Sequence, residues 1–362
     1  MATRDGWDLL VRRDDLAETS LVDRPVPALS DGEVLLRPDR VGVTANNVTY
    51  ALVGESMRYW EFFPAEGGWG RVPLWGFADV VESTVPGVEV GTRVYGYLPP
   101  SSELVVRPER VDAVGFRDGS AHRATLPGPY NIYAATTGDP AYDAAREDLQ
   151  VLYRPLFITS FMLVDFLADH DLFGASTVAI SSASSKTAYG AAFCLGLLSD
   201  RPRVVGLTSA GNLDFTSSLG CYDEVLDYGA VTDLPAGTPT VYVDVAGSVA
   251  LRRAVHEHLG DALVHDAVVG ATHLDGLPDD DVRVPGVRPT FFFAPDQIRK
   301  RRTDWGPGGI EARYGAAWRE FVPSVESWVD VHEGTGSEGL RSAWLEVLAG
   351  RVDPRRGHVV AL

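Results

Sequence analysis

One segment, residues 177–198, constrains the fold more than any other part of the sequence. It reads TVAI, then SSASSK, then an alanine-rich stretch with apolar residues at helical spacing. A short apolar run, a loop of small residues and a helical pattern in direct succession predict a buried strand, a tight turn and a helix. This is the beginning of a βαβ unit, so we expect a parallel sheet in an α/β domain.

The predicted turn is a candidate dinucleotide site, because such a turn directs backbone N–H groups and the positive end of a helix at an anion. The glycine positions of the usual fingerprint fall on Ser182, Ser185 and Ala188, and none is glycine. Small side chains still permit close approach, while hydroxyl groups and a lysine can contact phosphate. A purely structural turn with a solvated lysine is the alternative. The candidate cofactor residues of this loop are Ser182, Ala183, Ser184, Ser185, Lys186 and Thr187.

The next predicted strand, residues 203–207, begins about 20 residues after the loop, the spacing expected for the strand that selects the ribose. It ends in LTSAGN, without the Asp or Glu that would bind the 2′-hydroxyl group of NADH. Thr208, Ser209 and Asn212 can instead donate hydrogen bonds to a 2′-phosphate. We therefore expect NADPH, with NADH as the less favoured cofactor. A polar loop without a ligand is the alternative.

Composition excludes several classes of protein. The 362 residues, 45% of them hydrophobic, are enough for about two domains of ~150 residues. No run of 18 apolar residues and no signal pattern is present, so we expect a cytoplasmic protein without a membrane partner. The net charge of −18 argues against nucleic acid. With only Cys194 and Cys221, neither a disulfide framework nor a cysteine zinc site can form.

Two further groups of residues carry weaker signals. His256 and His258 differ by two positions and point apart on a helix, so they do not form a zinc motif and no metal is expected. The basic run at residues 299–302 is predicted to be a solvated helix face, with an anion-binding role as the alternative.

Residues 8–114 have the short alternating apolar runs of β-strands, interrupted by Pro and Gly. Residues 41–50, VGVTANNVTY, predict a strand followed by a polar loop and a helical turn. Residues 72–83, VPLWGFADVVES, predict another strand, and residues 90–94, VGTRV, predict a corner that begins the next one.

These segments resemble the medium-chain dehydrogenase/reductase superfamily, in which a GroES-like β-domain precedes a Rossmann domain. Pro73, Gly76 and Val80 match its first strand pattern, residues 90–94 match its VGDRV-type corner, and residues 350–362 match its closing strand. The resemblance covers nearly the whole chain. It implies a GroES-like β-rich domain (1–155 and 326–362, with an insert at 115–155) and a Rossmann domain with a doubly wound parallel sheet (156–325).

The zinc-binding branch of this superfamily has a cysteine just after the strand at residues 41–43, and a four-cysteine lobe. Here Ala45, Asn46 and Asn47 occupy the first place, and the lobe is missing. The chain thus resembles the zinc-free, quinone-oxidoreductase-like branch and, through its serine-lysine loop, a bacterial group without an assigned function. Relatives are commonly dimers or tetramers, so a homodimer is one expectation. The resemblance also places Thr159, Val245, Ala246, Val269 and Gly270 near the nicotinamide.

In this family the cofactor carries out hydride transfer, and the protein must supply a donor for the developing enolate or alkoxide. Reduction of an enone, quinone or enoyl-type small molecule is the favoured reaction, since enolate charge needs the weaker stabilisation. The alternatives are a redox-neutral lyase or isomerase step on a β-keto or polyketide-like substrate, and a non-catalytic nucleotide sensor. Each candidate donor could instead be structural. The candidates are Asn46, Tyr50, Tyr59, Tyr130, Tyr133 and Arg154.

Overall fold

The computed structural model describes residues 4–269, 284–350 and 353–362. The chain divides into two compact units, Met1–Pro155 with Val329–Leu362, and Leu156–Trp328. The second unit ends with a helix that reaches Trp328, so the domain boundary expected after residue 325 falls inside that helix.

The strands of the described residues are numbered in chain order. They are β1 (Arg4–Arg12), β2 (Thr19–Val26), β3 (Val34–Val43), β4 (Trp69–Gly70), β5 (Leu74–Ser83), β6 (Arg93–Leu98), β7 (Leu104–Val106), β8 (Pro108–Asp112), β9 (Gly115–Asp118), β10 (Ile132–Ala135), β11 (Thr177–Ile180), β12 (Arg203–Thr208), β13 (Glu224–Asp227), β14 (Thr240–Asp244), β15 (Leu263–Val268), β16 (Thr290–Phe291), β17 (Asp330–Thr335) and β18 (Arg356–Ala361).

The α-helices are numbered in the same way. They are α1 (Ala45–Leu52), α2 (Glu147–Asp169), α3 (Lys186–Gly196), α4 (Leu213–Ser218), α5 (Val249–Leu259), α6 (Ala294–Trp305), α7 (Gly309–Trp328) and α8 (Gly336–Leu348).

The first unit is built on a mainly antiparallel sheet with the order β17-β18-β3-β5-β6-β10-β9-β8, to which β7 adds by pairing with β3. A smaller sheet has the order β2-β1-β4. The apolar side chains of β3 are buried, among them Val34, Leu36 and Val41, because alternate positions face one core. Gly76 on β5 allows close strand pairing: a Cβ there would lie 2.3 Å from the Arg40 carbonyl oxygen.

The second unit contains a parallel sheet with the order β13-β12-β11-β14-β15-β16. All four residues of β11 are buried, as the apolar run predicted. The strand order reverses between β11 and β14, and ligands of doubly wound sheets bind at the carboxyl ends of the strands at such a point. The carboxyl ends of β11 and β14 lead directly into the loops that contain the predicted cofactor residues.

Helix α2 contains the boundary between the two units, with Pro155 in its interior. A window within residues 144–169 has a mean hydropathy of 1.5 and would be long and apolar enough to cross a membrane. However, 56% of that window is buried inside the structure, as in the core helix of a globular protein.

The basic run at residues 299–302 lies on α6, where its central residues form ion pairs with the end of α2. Arg301 contacts Asp165 at 2.6 Å and Asp169 at 2.9 Å, and Lys300 contacts Asp169 at 2.8 Å. These two cations therefore join two helices of the second unit, which favours the structural interpretation of the run.

Candidate functional site

The loop between β11 and α3 has the turn that a glycine fingerprint normally makes, but without glycine. Ser182 has a φ of 51°, in the left-handed region that favours glycine. The Ser185 N–H group donates to the Ser182 carbonyl oxygen at 2.8 Å. Ser185 is also the N-cap of α3, and its side chain accepts a hydrogen bond from the Ala188 N–H group. Small residues and a capping serine therefore produce the strand, turn and helix predicted for this segment.

Ser181 joins this loop to the loop that follows β14. Its hydroxyl group accepts hydrogen bonds from the N–H groups of Val245 and Ala246, both at 3.0 Å, and donates to Asp244 Oδ1 at 3.0 Å. Two predicted nicotinamide-wall residues are thus held by the first residue of the phosphate loop. Sequence reasoning missed Ser181, although a polar residue directly after an all-apolar strand is a usable signal.

A buried ionic network supports the turn after β14. Asp244 is fully buried and accepts hydrogen bonds from Arg252 Nε at 2.9 Å and from the Gly247 N–H group at 2.9 Å. His256 lies between the Pro285 carbonyl oxygen and Asp266 Oδ2, each at 2.8 Å. Since a carbonyl only accepts, Nδ1 of His256 carries a hydrogen and donates it to Pro285. Burial raises the pKa of Asp266.

The end of β12 provides hydroxyl and amide groups next to the loop. Asn212 Nδ2 donates to Ser184 Oγ at 3.1 Å, which ties the predicted ribose segment to the phosphate loop. Thr208 is buried, and its Oγ1 has no hydrogen-bond partner among the described residues. Ser209 is exposed. A Cβ on Gly206 would lie 2.9 Å from Ala183 Cβ, so glycine lets the strand approach the loop.

Tyr228, which follows β13, is a site residue that the sequence did not reveal. Its hydroxyl oxygen accepts a hydrogen bond from the Ser182 N–H group at 3.2 Å. Burial raises the pKa of Tyr228, so the phenol stays protonated at neutral pH. The contact joins residues that are 46 positions apart, which is why no local pattern could indicate it.

The remaining predicted cofactor residues differ in burial and lie on different elements. Val245 and Ala246 are buried, and the Val269 N–H group donates to the Asp244 carbonyl oxygen at 2.9 Å. Lys186 and Thr187 begin α3, and Thr159 is half-buried on α2. Gly270 lies outside the described residues.

A second group of predicted residues lies together in the first unit. We call Tyr50, Tyr59, Tyr97 and Tyr130 with Trp75 the tyrosine cluster. The ring centroids of Tyr50 and Tyr59 are 4.6 Å apart, and those of Tyr97 and Tyr130 are 4.9 Å apart. The hydroxyl groups of Tyr59 and Tyr130 are 3.2 Å apart, and Trp75 Nε1 donates to the Tyr50 hydroxyl oxygen at 3.1 Å.

All four phenols of the cluster keep their protons at neutral pH. Burial raises the pKa of Tyr50, and hydrogen bonding from Trp75, Asn46 and Tyr97 lowers it by less. Burial likewise raises the pKa values of Tyr59, Tyr97 and Tyr130. The cluster therefore offers neutral hydrogen-bond donors rather than phenolates.

The two asparagines after β3 have different roles. Asn47 is buried in a capping box at the start of α1: its Oδ1 accepts from the Thr44 N–H group at 2.7 Å, and its Nδ2 donates to the Pro73 carbonyl oxygen at 2.9 Å. Asn46 is half-buried beside Tyr50. Only Asn46 is therefore placed to reach a ligand.

Tyr133 has a structural position that corrects the expectation of a donor to substrate. It is fully buried, and its hydroxyl group donates to the Tyr97 carbonyl oxygen at 2.8 Å. Arg123 Nη1 donates to the Tyr133 hydroxyl oxygen at 3.2 Å and pairs with the buried Asp118 at 3.2 Å. The phenolic proton of Tyr133 is thus committed to the backbone.

Arg154 lies elsewhere in the first unit. It pairs with Asp139, and its guanidinium carbon lies 4.4 Å from the centroid of the Tyr95 ring. The Tyr95 ring in turn stacks on Trp75 of the tyrosine cluster, with ring centroids 5.7 Å apart.

No group of three His, Cys, Asp or Glu side chains is arranged to hold a metal ion within the parts of the chain that the structure describes. His256, His258, Cys194 and Cys221 therefore belong to no such group there.

Comparison with known proteins identifies the family. A family model described as "Protein of unknown function (DUF2855)" matches residues 41–353. The chain belongs to this family. No curated protein sequence matches it.

Solved structures show the fold of the family. A protein from Mesorhizobium loti with the provisional name NADPH:quinone reductase has a TM-score of 0.65 and 13% identity, over 100% of both chains. CurA from Vibrio vulnificus, in complex with NADPH, has a TM-score of 0.62 and 15% identity, over 95% of this chain and 94% of CurA. A thermostable alcohol dehydrogenase from Pyrobaculum aerophilum has a TM-score of 0.57 and 16% identity, over 99% and 100%.

At these identities the likeness shows the fold. The chain has the fold of the medium-chain dehydrogenase/reductase superfamily, a GroES-like β-domain with a Rossmann domain, and the predicted fold class is confirmed.

Proposed function

We propose that this protein is a zinc-independent, NADPH-dependent oxidoreductase that reduces an activated double bond or carbonyl in an enone, quinone or enoyl-type substrate. The observation that carries the proposal is the turn at Ser182. A non-glycine residue is held in the left-handed conformation at the start of the loop, at the switch point of a doubly wound sheet.

The loop residues fit a dinucleotide. Helix α3 begins at Lys186, so its amino-terminal end, which carries the positive end of the helix dipole, follows the loop directly. Ser184 and Asn212 form a joint polar surface, and the buried Thr208 hydroxyl group is available to a ligand. A bound NADPH would supply the hydride.

The choice of NADPH over NADH depends on charge. The segment 208–212 has no carboxylate, and Lys186 supplies a cation near the hydroxyl groups of the loop. A 2′-phosphate gains from such donors, whereas a 2′-hydroxyl group gains most from a carboxylate. CurA, which was solved with NADPH, provides a precedent within the same fold.

The other predicted cofactor residues have supporting roles in this proposal. Val245, Ala246 and Val269 would form the wall beside the nicotinamide ring, with Thr159 and Gly270 close to it. The hydrogen bonds of Ser181 hold Val245 and Ala246 in place, so the wall is pre-organised before the cofactor binds.

The substrate oxygen would be bound by phenolic hydroxyl groups. Tyr50, Tyr59 and Tyr130 are neutral donors, and Asn46 adds an amide at the half-buried side of the cluster. Such donors stabilise the negative charge that develops on the oxygen during reduction. Arg154, which is paired with Asp139, would support the Tyr95 ring beside the cluster. We further propose that the protein acts on a small molecule in the cytoplasm and that it works as a monomer or a homodimer.

The direct test follows the absorbance of NADPH with a panel of enones, quinones and enoyl thioesters. Consumption of NADPH that depends on one of these classes supports the oxidoreductase. Replacement of Tyr50, Tyr59 or Tyr130 by Phe should lower kcat by about tenfold or more where that hydroxyl group contacts the substrate oxygen. If all three variants keep full activity, the role of the phenols is contradicted.

A second candidate is a redox-neutral lyase or isomerase in the same fold, and one observation favours it. Two backbone N–H groups near the phosphate position already have protein partners: Ser182 donates to Tyr228, and Ala188 donates to Ser185. This candidate requires that neither NADPH nor NADH binds, so a cofactor titration separates it from the oxidoreductase.

A further inference from the structure

The hydrogen-bonding groups of the tyrosine cluster contain more donors than acceptors. An indole N–H group only donates, so the hydrogen bond from Trp75 to the Tyr50 oxygen leaves the Tyr50 proton to be donated elsewhere. Tyr59 and Tyr130 share one hydrogen bond between their hydroxyl groups, and this leaves a second phenolic proton. The hydrogen bonds within the cluster therefore leave two phenolic protons that can be donated to a ligand: that of Tyr50 and one from the Tyr59–Tyr130 pair.

Tyr97 adds a third donor of this kind. It is fully buried, and its hydroxyl group makes no hydrogen bond of normal geometry among the residues that the structure describes. It lies close enough to the Tyr50 oxygen to lower the pKa of Tyr50, but that oxygen already accepts a hydrogen bond from Trp75. Its ring packs between Tyr50 and Tyr130, with centroids at 5.6 and 4.9 Å, and lies 4.9 Å from Trp75. A buried hydroxyl group without a partner is costly, so a ligand oxygen that accepts from it would recover that free energy.

A buried ion pair lies behind this group of donors. Arg123 pairs with the buried Asp118 at 3.2 Å and donates to Tyr133, and Tyr133 donates to the carbonyl oxygen of Tyr97. Burial raises the pKa of Tyr97, and the Arg123 charge acts in the opposite direction. The half-buried side chains are Asn46, Trp75 and Tyr130, so a ligand would enter from their side of the cluster.

We propose that the tyrosine cluster is an oxyanion-binding site in which Tyr97 is a third phenolic donor and Trp75 directs the Tyr50 proton toward the bound oxygen. The matching ligand is an uncharged planar compound with an acceptor oxygen that gains negative charge, and its enolate or phenolate analogues. Trp75 acts through Tyr50 and is a positioning residue. The oxyanion site gives the proposed function a binding mode for the substrate oxygen, and its role in a reaction rests on that proposed function. Ligand binding to the cluster, however, requires no cofactor.

The test uses 4-nitrophenol, because only its ionised form absorbs strongly in the visible range. At a pH below its pKa, titration with the full-length protein should increase the ionised fraction, since three donors without acceptors favour the anion. The Tyr97→Phe variant should bind the phenolate about tenfold more weakly, the loss expected for one hydrogen bond to a charged group. 4-Nitroanisole, which cannot ionise, should bind with the same affinity before and after this change.

The role of Trp75 is tested by combining variants. Trp75→Phe should also weaken phenolate binding, and it should have no further effect in a Tyr50→Phe protein, because the two residues act through one proton. Tyr242→Phe is the matched control, since it removes an equally buried phenolic hydroxyl group from the other unit. Should Tyr97→Phe fail to fold, the Trp75 and Tyr50 variants carry the test alone.

Three results would overturn the proposal: no binding of 4-nitrophenol, binding of its neutral form only, or unchanged phenolate binding in Tyr97→Phe. None of them bears on NADPH. A protein that binds the phenolate but not NADPH would contradict the proposed oxidoreductase and leave the oxyanion site standing, so the two failures are distinguishable.

Discussion

The predicted cofactor loop of the second unit depends on its backbone, whereas the tyrosine cluster of the first unit depends on its side chains. In the loop, the turn depends on the backbone: Ser182 has a φ of 51°, and Ser181 holds two backbone N–H groups after β14. In the cluster, the side chains of Tyr50, Tyr97 and Trp75 carry the donors.

This difference explains why the loop can be recognised as a local sequence motif, whereas the tyrosine cluster cannot. A site made by the backbone needs only small residues that tolerate the turn, so serine and alanine can replace the fingerprint glycines at 182, 185 and 188. A site made by side chains depends on each functional group. Its members come from α1, the short 3₁₀ helix Tyr59–Glu61, β5, β6 and the segment around Tyr130, and no short motif contains them all.

The largest loss of NADPH affinity is expected from a substitution that strains the backbone conformation of the loop. Ser182→Val places a β-branched residue at a positive φ, and we expect NADPH affinity to fall by about 10- to 100-fold. Ser182→Gly is the matched control and should keep the affinity within about threefold, because glycine adopts this φ without strain. Calorimetric titration measures both variants. Equal losses for Val and Gly would show that the serine hydroxyl group, rather than the backbone, makes the site.

The next largest loss of affinity is expected at Lys186, the one side chain in the predicted loop whose charge is proposed to contact the cofactor. Lys186→Ala should weaken NADPH by about tenfold, through the loss of a charge-assisted contact to the 2′-phosphate. NADH has no such phosphate, so its affinity should stay within about twofold, and Lys186→Arg should retain the preference. Equal losses for both cofactors would contradict the 2′-phosphate argument.

A smaller effect is expected from Tyr228→Phe, which removes the oxygen that accepts the Ser182 N–H group. Loss of one neutral hydrogen bond that orders the turn should weaken NADPH and NADH alike, by about fivefold. The ratio of the two affinities distinguishes this change from that at Lys186. Tighter binding in the variant would instead mean that the tyrosine competes with the cofactor, as the redox-neutral alternative requires.

The smallest effect concerns pH and the tyrosine cluster. Burial raises the pKa values of Tyr50, Tyr59, Tyr97 and Tyr130 above 10, so kcat should not fall through their ionisation between pH 7 and 9. Folding stability should decrease as the pH rises above 10, because the unfolded chain then releases phenolic protons that the folded chain retains. Ultraviolet titration of tyrosine measures this ionisation. A decrease in kcat as the pH rises from 7 to 9 in the wild type, but not in Tyr50→Phe, would contradict the raised pKa of Tyr50.

Local patterns were sufficient for the fold. The apolar run at Thr177–Ile180 and the helical spacing after it predicted β11 and α3, because one buried strand and one amphipathic helix each repeat with a fixed period. The corner at residues 90–94 and the closing strand β18 allowed the two-domain fold to be recognised from resemblance. The predicted NADPH site and its residues remain a proposal.

The site was only partly predictable, since its contacts join distant residues. Ser181 contacts residues 64 and 65 positions away, so its place after the strand marks it as unusual but does not identify its partners. Tyr97 lies on β6 in the run RVYGYL, which looks like an ordinary core strand. Tyr133 was selected for its hydroxyl group, but the backbone of Tyr97 accepts that proton. Hydroxyl groups can be counted from a sequence, whereas their partners depend on the tertiary structure.

The most direct test of this account is calorimetric titration of the purified protein with NADPH and then with NADH at moderate salt. The account predicts that NADPH binds with a Kd on the order of micromolar and clearly more tightly than NADH, because the turn at Ser182 retains the dinucleotide site and Lys186 favours the 2′-phosphate. Absence of binding by either cofactor would contradict it and would direct the search for function to redox-neutral chemistry.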